Sequence, residues 1–138
     1  MKTQKMLAVL VSTIMLLSGS TSLCLVAEAT NTYSDIYPYV LNSTVYYGAY
    51  ARNLSNNSTD FLLQSTLYNN VTNQILGGGG DDVEYNVGYN IQTNLINSFP
   101  KSNCASVTRI NLYVGAYGSY HQYANPYETY SNTIYYYK

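Results

Sequence analysis

Charge is what this sequence has least of. Asp, Glu, Lys and Arg make up 9% of its 138 residues, against roughly a quarter in an ordinary soluble domain. The few cations are scattered, so no basic patch exists to neutralise phosphates, and nucleic acid is excluded as a partner. The same scarcity excludes electrostatic docking on anionic lipid. Tryptophan is absent and histidine occurs once, as His121. Cysteine occurs twice, as Cys24 and Cys104. A zinc site needs several such ligands together, which this supply does not meet. A Cys104–His121 nucleophile–base pair would need a third orienting group, and no flanking pattern of a cysteine protease surrounds Cys104. Long apolar runs are missing too. Met6 to Leu17 is the longest, and it falls short of the roughly 18 residues a spanning helix needs.

That short run has a different meaning at this position. Lys2 and Lys5 precede it, a polar break (Ser18 to Ser22) follows it, and Ala27-Glu28-Ala29 supplies a small-x-small cleavage pattern. Residues 1–29 therefore read as a secretory signal peptide cut after Ala29, with residues favouring a helix. The arrangement resembles a Gram-positive bacterial export signal. Lipidation at Cys24 is disfavoured, because the residue before it is Leu23 and a lipobox requires a small one. The expected mature chain, residues 30–138, has four cations and six anions, a net charge of −2. It is one domain, secreted, with no stable membrane insertion after cleavage. Cys104 is then alone and cannot form an internal disulfide. It is a small buried apolar side chain, a partly exposed thiol or one half of an intermolecular bridge.

What is abundant is tyrosine, with 18 residues, beside many Asn, Ser and Thr. Disordered chains are poor in aromatic and β-branched residues, so this composition predicts a folded domain with a neutral, hydrogen-bonding surface. The dominant period is two. Val45, Tyr47, Ala49 and Ala51 share one face of a strand within Asn42–Leu54. Phe61, Leu63 and Leu67 share a face in the next. Val83 to Ile91 alternates, and Ile110, Leu112, Val114 and Ala116 mark the strongest strand. Tyr127–Tyr137 closes the chain as a strand. An earlier extended piece, Tyr33–Leu41, carries Pro38 and suits an edge or a bend. A short strand is expected near Val71–Leu76. Gly77–Asp82, with four consecutive glycines, is expected as a loop. Asn94–Asn103 reads as a polar connection with at most a helical turn, and Gly118–Pro126 as a loop. The fold expected is all-β, a single antiparallel β-sandwich or small barrel of about six to eight short strands.

Candidate sites are few. Asp81, Asp82 and Glu84 form the one acidic cluster and are the weak candidate for Ca²⁺, although their spacing is not that of an EF-hand. Otherwise no metal, cofactor or catalytic residue is expected, and the protein reads as no enzyme. Two opposed carboxylates, as a glycosidase needs, are not marked by any pattern. The tyrosines are the remaining signal, since amphipathic, rigid side chains suit sugars or protein surfaces. Tyr113, Tyr117, Tyr120, Tyr123, Tyr127 and Tyr130 are the expected binding surface. Five Asn-x-Ser/Thr triplets begin at Asn42, Asn53, Asn56, Asn57 and Asn70.

These readings favour a secreted, non-enzymatic binding or envelope-associated protein of bacterial type, with cell-wall glycan or a surface protein as partner. Tyr127–Tyr137 has high β-propensity and little charge; the favoured reading is a strand paired within the monomer, and self-association through this C-terminal strand is the alternative if it lies at a sheet edge. In precursor size, sandwich-like pattern and Tyr-rich end the chain resembles small secreted bacteriocins of the lactococcin type. That resemblance implies a secreted antagonistic factor as the alternative function. Those proteins typically carry tryptophan and this chain has none, so no site residue is carried over. A small hydrolase is the third reading. Secreted material should begin at Thr30 on N-terminal sequencing. A product that retains the apolar run and stays in the membrane fraction would refute the cleavage reading.

Overall fold

Alternation decides the interior of this molecule. The computed structural model describes residues 31–118 and 125–138, arranged as β1 (Thr32–Leu41), β2 (Thr44–Arg52), β3 (Thr59–Asn69), β4 (Ile75–Val87), β5 (Gln92–Pro100), β6 (Val107–Gly118) and β7 (Glu128–Tyr137). A single 3₁₀ turn, Lys101–Asn103, joins β5 to β6. All pairings are antiparallel. One sheet has the order β1-β2-β5 and the other β4-β3-β6-β7. The two stack as a β-sandwich, as the period-two pattern predicts.

The faces expected of β2, β3 and β6 are inward, whereas the alternation expected over Val83–Ile91 stops where β4 ends at Val87 and leaves Tyr85 and Tyr89 exposed. Val45, Tyr47, Ala49 and Ala51 of β2 are buried, as are Phe61, Leu63 and Leu67 of β3. Ile110, Leu112, Val114 and Ala116 of β6 complete the opposite side. Burying such side chains is worth roughly 1.5–3 kcal/mol each, so these three strands contribute most of the apolar stabilisation. β1 is an edge strand, and its pairing with β2 shifts register between Ile36 and Tyr39, around Pro38. Proline has no N–H to give a ladder, so the bend sits where the missing donor is least costly.

Three expectations about connections are corrected. The glycine run is no loop: Gly77 to Gly80 lie within β4 and pair with β3, with register shifts between Ser65 and Thr66 and between Leu67 and Tyr68. The reason lies in the core opposite. Tyr47, fully buried, sends its hydroxyl to Ser65 Oγ at 3.0 Å. A Cβ on Gly79 would overlap both hydroxyls. Gly80 has φ +81°, the left-handed region that favours glycine. Gly79 is therefore there for close approach and Gly80 for its backbone conformation. The second correction is Asn94–Asn103, where β5 runs to Pro100. Its inward positions are Leu95, Asn97 and Phe99. Because inward Asn97 is polar and outward Ile96 is apolar, the alternation of the strand is masked in the sequence. The stretch expected as a short strand near Val71 is a turn as far as Gln74, with β4 starting at Ile75.

The sandwich is stitched at both sides. Asp82 Oδ2 of β4 accepts the Ile96 N–H of β5 at 2.7 Å, and Asn97 Nδ2 donates to Gly80 O at 2.9 Å. On the other side Asp35 of β1 accepts from Tyr130 Oη at 2.9 Å and Asn132 Nδ2 at 2.6 Å, both on β7. Gly79→Ala should lose about 2–3 kcal/mol of stability in denaturant unfolding. Gly118→Ala, where an added Cβ meets nothing within 4 Å, should stay within about 0.5 kcal/mol of the parent. Equal effects from both would refute the close-approach account.

Candidate functional site

The outward faces of β3, β6 and β7 form one continuous surface, because directly paired residues of an antiparallel sheet point the same way. Three rows cross it. Gln64 pairs with Tyr113 and Tyr113 with Ser131. Thr66, Asn111 and Thr133 form the second row, and Tyr68, Arg109 and Tyr135 the third. A shallow depression of about 590 Å³ is lined by Gln64, Thr66, Asn111, Tyr113, Ser131 and Thr133. Its floor is the row of short side chains, with Thr133 Oγ1 donating to Asn111 Oδ1 at 3.3 Å. The tyrosine ring of Tyr113 stands at one end. At the other, the Arg109 guanidinium lies over the Tyr68 ring, 4.8 Å from its centroid, and donates from Nη1 to Asn73 Oδ1 at 3.0 Å. Arg109 and Tyr113 are four residues apart on β6, which sets the two ends about 13 Å apart at the usual strand rise.

The chemistry of this floor is uniform. Asn and Gln amides offer donors and an acceptor, and Ser and Thr hydroxyls do both. No carboxylate lines the depression. It can bind neutral polar groups, and it lacks the paired carboxylates that general acid–base cleavage of a glycoside requires.

A second concavity of about 390 Å³ lies at one end of the sandwich, between the 54–59 segment, Tyr89 and Tyr127. Its scaffold is Asn53, which is fully buried. Asn53 Nδ2 donates to Asn57 O at 2.8 Å and Val87 O at 2.7 Å, and its Oδ1 accepts from Ser55 N at 2.8 Å. The Tyr127 hydroxyl meets Asn31 Nδ2 at 2.9 Å and Thr59 Oγ1 at 2.8 Å. No acidic side chain lines this cleft either.

The tyrosines expected to form one binding surface are divided among three places. Tyr113 lines the sheet depression. Tyr117 shares its outward direction but is 4% exposed. Tyr127 belongs to the end cleft. Tyr130 faces inward and stacks on Tyr33, with centroids 5.2 Å apart and planes within 7°. Tyr120, Tyr123 and His121 lie outside the described residues. The single row is thus corrected. Among the described members, Tyr130 differs in parity from Tyr113 and Tyr117, and a strand sends successive side chains to opposite faces; Tyr127 precedes β7. Gln64, Thr66, Asn111, Ser131 and Thr133 escape a reading by residue type. Their signal is the polar face of strands recognised by their apolar one.

The acidic cluster is separated in the same way. Asp81 pairs with Gln64 on the outward side, while Asp82 pairs with Leu63 and binds the Ile96 N–H. Among the described residues no group of three His, Cys, Asp or Glu is placed to hold a metal ion. Cys104 is buried, with its thiol 3.7 Å from Pro100 O. Burial pushes its ionisation up, away from the thiolate that nucleophilic chemistry uses.

No protein-family model matches the chain, and no curated protein sequence matches it. Among solved structures, it is similar to β-glucosidase 3B from Thermotoga neapolitana, solved in complex with glucose, at 10% identity and a TM-score of 0.47. That match covers 76% of this chain and 16% of the enzyme. A β-glucosidase from Kluyveromyces marxianus matches at 8% identity and a TM-score of 0.42, over 76% of this chain and 14% of that one. A protein from Archaeoglobus fulgidus matches at 9% identity and a TM-score of 0.46, over 81% of this chain and 98% of that one. The chain thus spans a small part of the two glucosidases.

Burial raises the ionisation of Tyr33, Tyr47, Tyr117 and Tyr130 above the ordinary value of 10. The Tyr33 hydroxyl is buried near Asn31 and Glu128, with no well-formed hydrogen bond among the described residues, and a phenolate there would be costlier still. Asp35 beside Tyr130 adds to the effect of burial on that residue. In the unfolded chain these phenols ionise near pH 10, and in the folded one they do not. Their contribution to stability is therefore whole below pH 10 and is lost as pH rises beyond it. Melting midpoints should hold through neutral pH and fall steeply above pH 10, with part of the tyrosinate absorbance appearing only on unfolding. A gradual titration of all tyrosines without unfolding would contradict the burial pattern.

Proposed function

We propose that this chain is a secreted, non-enzymatic glycan-binding protein that holds a neutral oligosaccharide across the outer face of β3, β6 and β7. The observation that carries the reading is the depression itself: a floor of neutral donors and acceptors, with the Tyr113 ring at one end and no carboxylate in its lining. Sugar hydroxyls are also neutral donors and acceptors, so every polar atom of such a ligand finds an unlike partner. The apolar C–H faces of sugar rings pack on tyrosine. Three strands fix the floor, so little ordering entropy is lost on binding.

Low charge supports the same ligand class, because an anionic polymer would be drawn by cations, and Arg109 is already engaged by Tyr68 and Asn73. Export, as the N-terminal segment suggests, would bring the protein to cell-wall glycan. Absence of an acid pair from both concavities favours holding over cleaving.

Calorimetric titration with neutral oligosaccharides, and pull-down on insoluble peptidoglycan, test the proposal. Asn111→Ala and Tyr113→Ala should each weaken binding about tenfold, the loss of one or two hydrogen bonds or of one ring contact. The melting midpoint of Asn111→Ala should stay close to that of the parent, since this side chain is exposed. Tyr37→Ala, exposed on β1 of the other sheet, should bind as the parent does. Binding that survives both depression variants, or no binding to any neutral glycan, would overturn the proposal.

A further inference from the structure

An edge strand displays a row of unpaired N–H and C=O groups, and proteins ordinarily defend it. Three of the four sheet edges here are defended. β1 carries Pro38 and a register shift. β4 has three register shifts and an aspartate, Asp82, that engages β5. β5 ends in Pro100 and lies along that same seam. β7 differs. It is ten residues long and pairs with β6 in unbroken register from Glu128 to Tyr137. It contains no proline or glycine, and no charge between Glu128 and Lys138.

The direction of its backbone groups follows from two hydrogen bonds. Lys138 N donates to Ser106 O, and Val107 O accepts from Asn70 N on the far side of β6. Even-numbered residues of β7 therefore bond to β6, and Thr129, Ser131, Thr133, Tyr135 and Tyr137 point their N–H and C=O to the open edge. Among the described residues, no backbone or side-chain group bonds to that open row.

We infer that a second copy of this chain occupies it: two molecules pair β7 to β7, antiparallel, about a two-fold axis at Thr133. The register is fixed by charge and by length. Centring on Thr133 sets Glu128 opposite the second copy's Lys138 at both ends of the strand pair. Shifting the axis to Ser131 or Tyr135 leaves those charges unmatched and shortens the ladder. The charges are available for it. Glu128 uses Oε2 to accept Asn31 N at 3.1 Å, which leaves Oε1. Lys138 Nζ donates to Ser102 O at 3.2 Å and Cys104 O at 3.0 Å, which leaves one of its three donors. On the outward face Tyr135 meets the second copy's Ser131, and Tyr137, 71% exposed in the single chain, covers the second copy's Thr129. Two four-stranded sheets become one of eight strands. Ser131 and Thr133 line the sheet depression, so the two depressions come to lie side by side on one surface. The inference rests on the strand edge and stands whether or not the depression binds glycan.

The chain beginning at Thr30 carries all seven strands and is suited to sedimentation and light-scattering measurement. It should be a dimer, in reversible equilibrium with monomer on dilution. Thr133→Pro removes one outward donor and no β6 bond, and should weaken dimerisation about tenfold or more. Thr133→Cys should give a disulfide-linked dimer under mild oxidation, because facing residues of a hydrogen-bonded pair sit about 5.5 Å apart, within disulfide reach. Cysteine placed at Gln64, on the same face two strands away, should not link. Glu128→Lys and Lys138→Glu should each weaken the dimer, and the double swap should recover it. A monomer at every concentration, fibres in place of a closed dimer, or failure of Thr133→Cys to link would overturn the inference.

Discussion

The arrangement of both sheets turns on one buried hydroxyl. Tyr47 lies fully buried in the middle of the three-stranded sheet, and its Oη needs a partner there, because an unpaired hydroxyl in an apolar interior costs several times what a satisfied one contributes. Ser65 of the opposite sheet supplies it at 3.0 Å. Ser65 Oγ also accepts from Asn97 Nδ2 at 2.9 Å, and the same Nδ2 donates to Gly80 O at 2.9 Å. One chain of polar contacts thus joins β2, β3, β5 and β4. It fixes the register of the sheets in a way that interchangeable apolar contacts do not. It also takes the space beside β4, which is why that strand can carry no side chain at Gly79.

This network and the Asp35 contacts divide the labour of holding two sheets together. The first anchors the β4–β5 side, and Asp35 with Tyr130 and Asn132 anchors the β1–β7 side. Between them lies a core of aliphatic and aromatic side chains, with Tyr33 set edge-on to Phe61, centroids 6.2 Å apart, and stacked on Tyr130. Polar links at the margins leave the outer faces free of structural duty. The outer face of the four-stranded sheet can therefore be lined with short polar side chains without loss of core packing.

How much of this was legible in the sequence depended on which residues faced inward. β2, β3 and β6 announced themselves, because their inward positions are apolar and alternate with polar ones. Pro38 marked an edge, and β1 is one. β5 was hidden, because its inward Asn97 belongs to the polar network and breaks the apolar alternation. The first half of β4 was hidden by glycines, which have no side chain with which to display a period, while Val83–Val87 fall in the stretch whose alternation is visible. The depression was hidden for a different reason. Gln64, Asn111 and Thr133 are far apart in sequence and become neighbours only through the pairing registers of three strands. Tyr113 is conspicuous in the sequence as a tyrosine, and among the other described members of that set Tyr130 is turned inward by strand parity.

Asn53 opens an Asn-Leu-Ser triplet, the acceptor pattern for N-linked glycosylation in eukaryotic secretion. Its Nδ2 is the atom to which a sugar would be joined. In the folded chain that atom is spent on Asn57 O and Val87 O, and the residue is shut away from solvent. Sugar transfer and completion of the 54–59 segment are therefore mutually exclusive. Asn42 and Asn70, exposed at turns, impose no such choice. A cell that glycosylates its exports during synthesis would set enzyme against folding at this one nitrogen, and whichever acted first would decide whether the end of the sandwich closed.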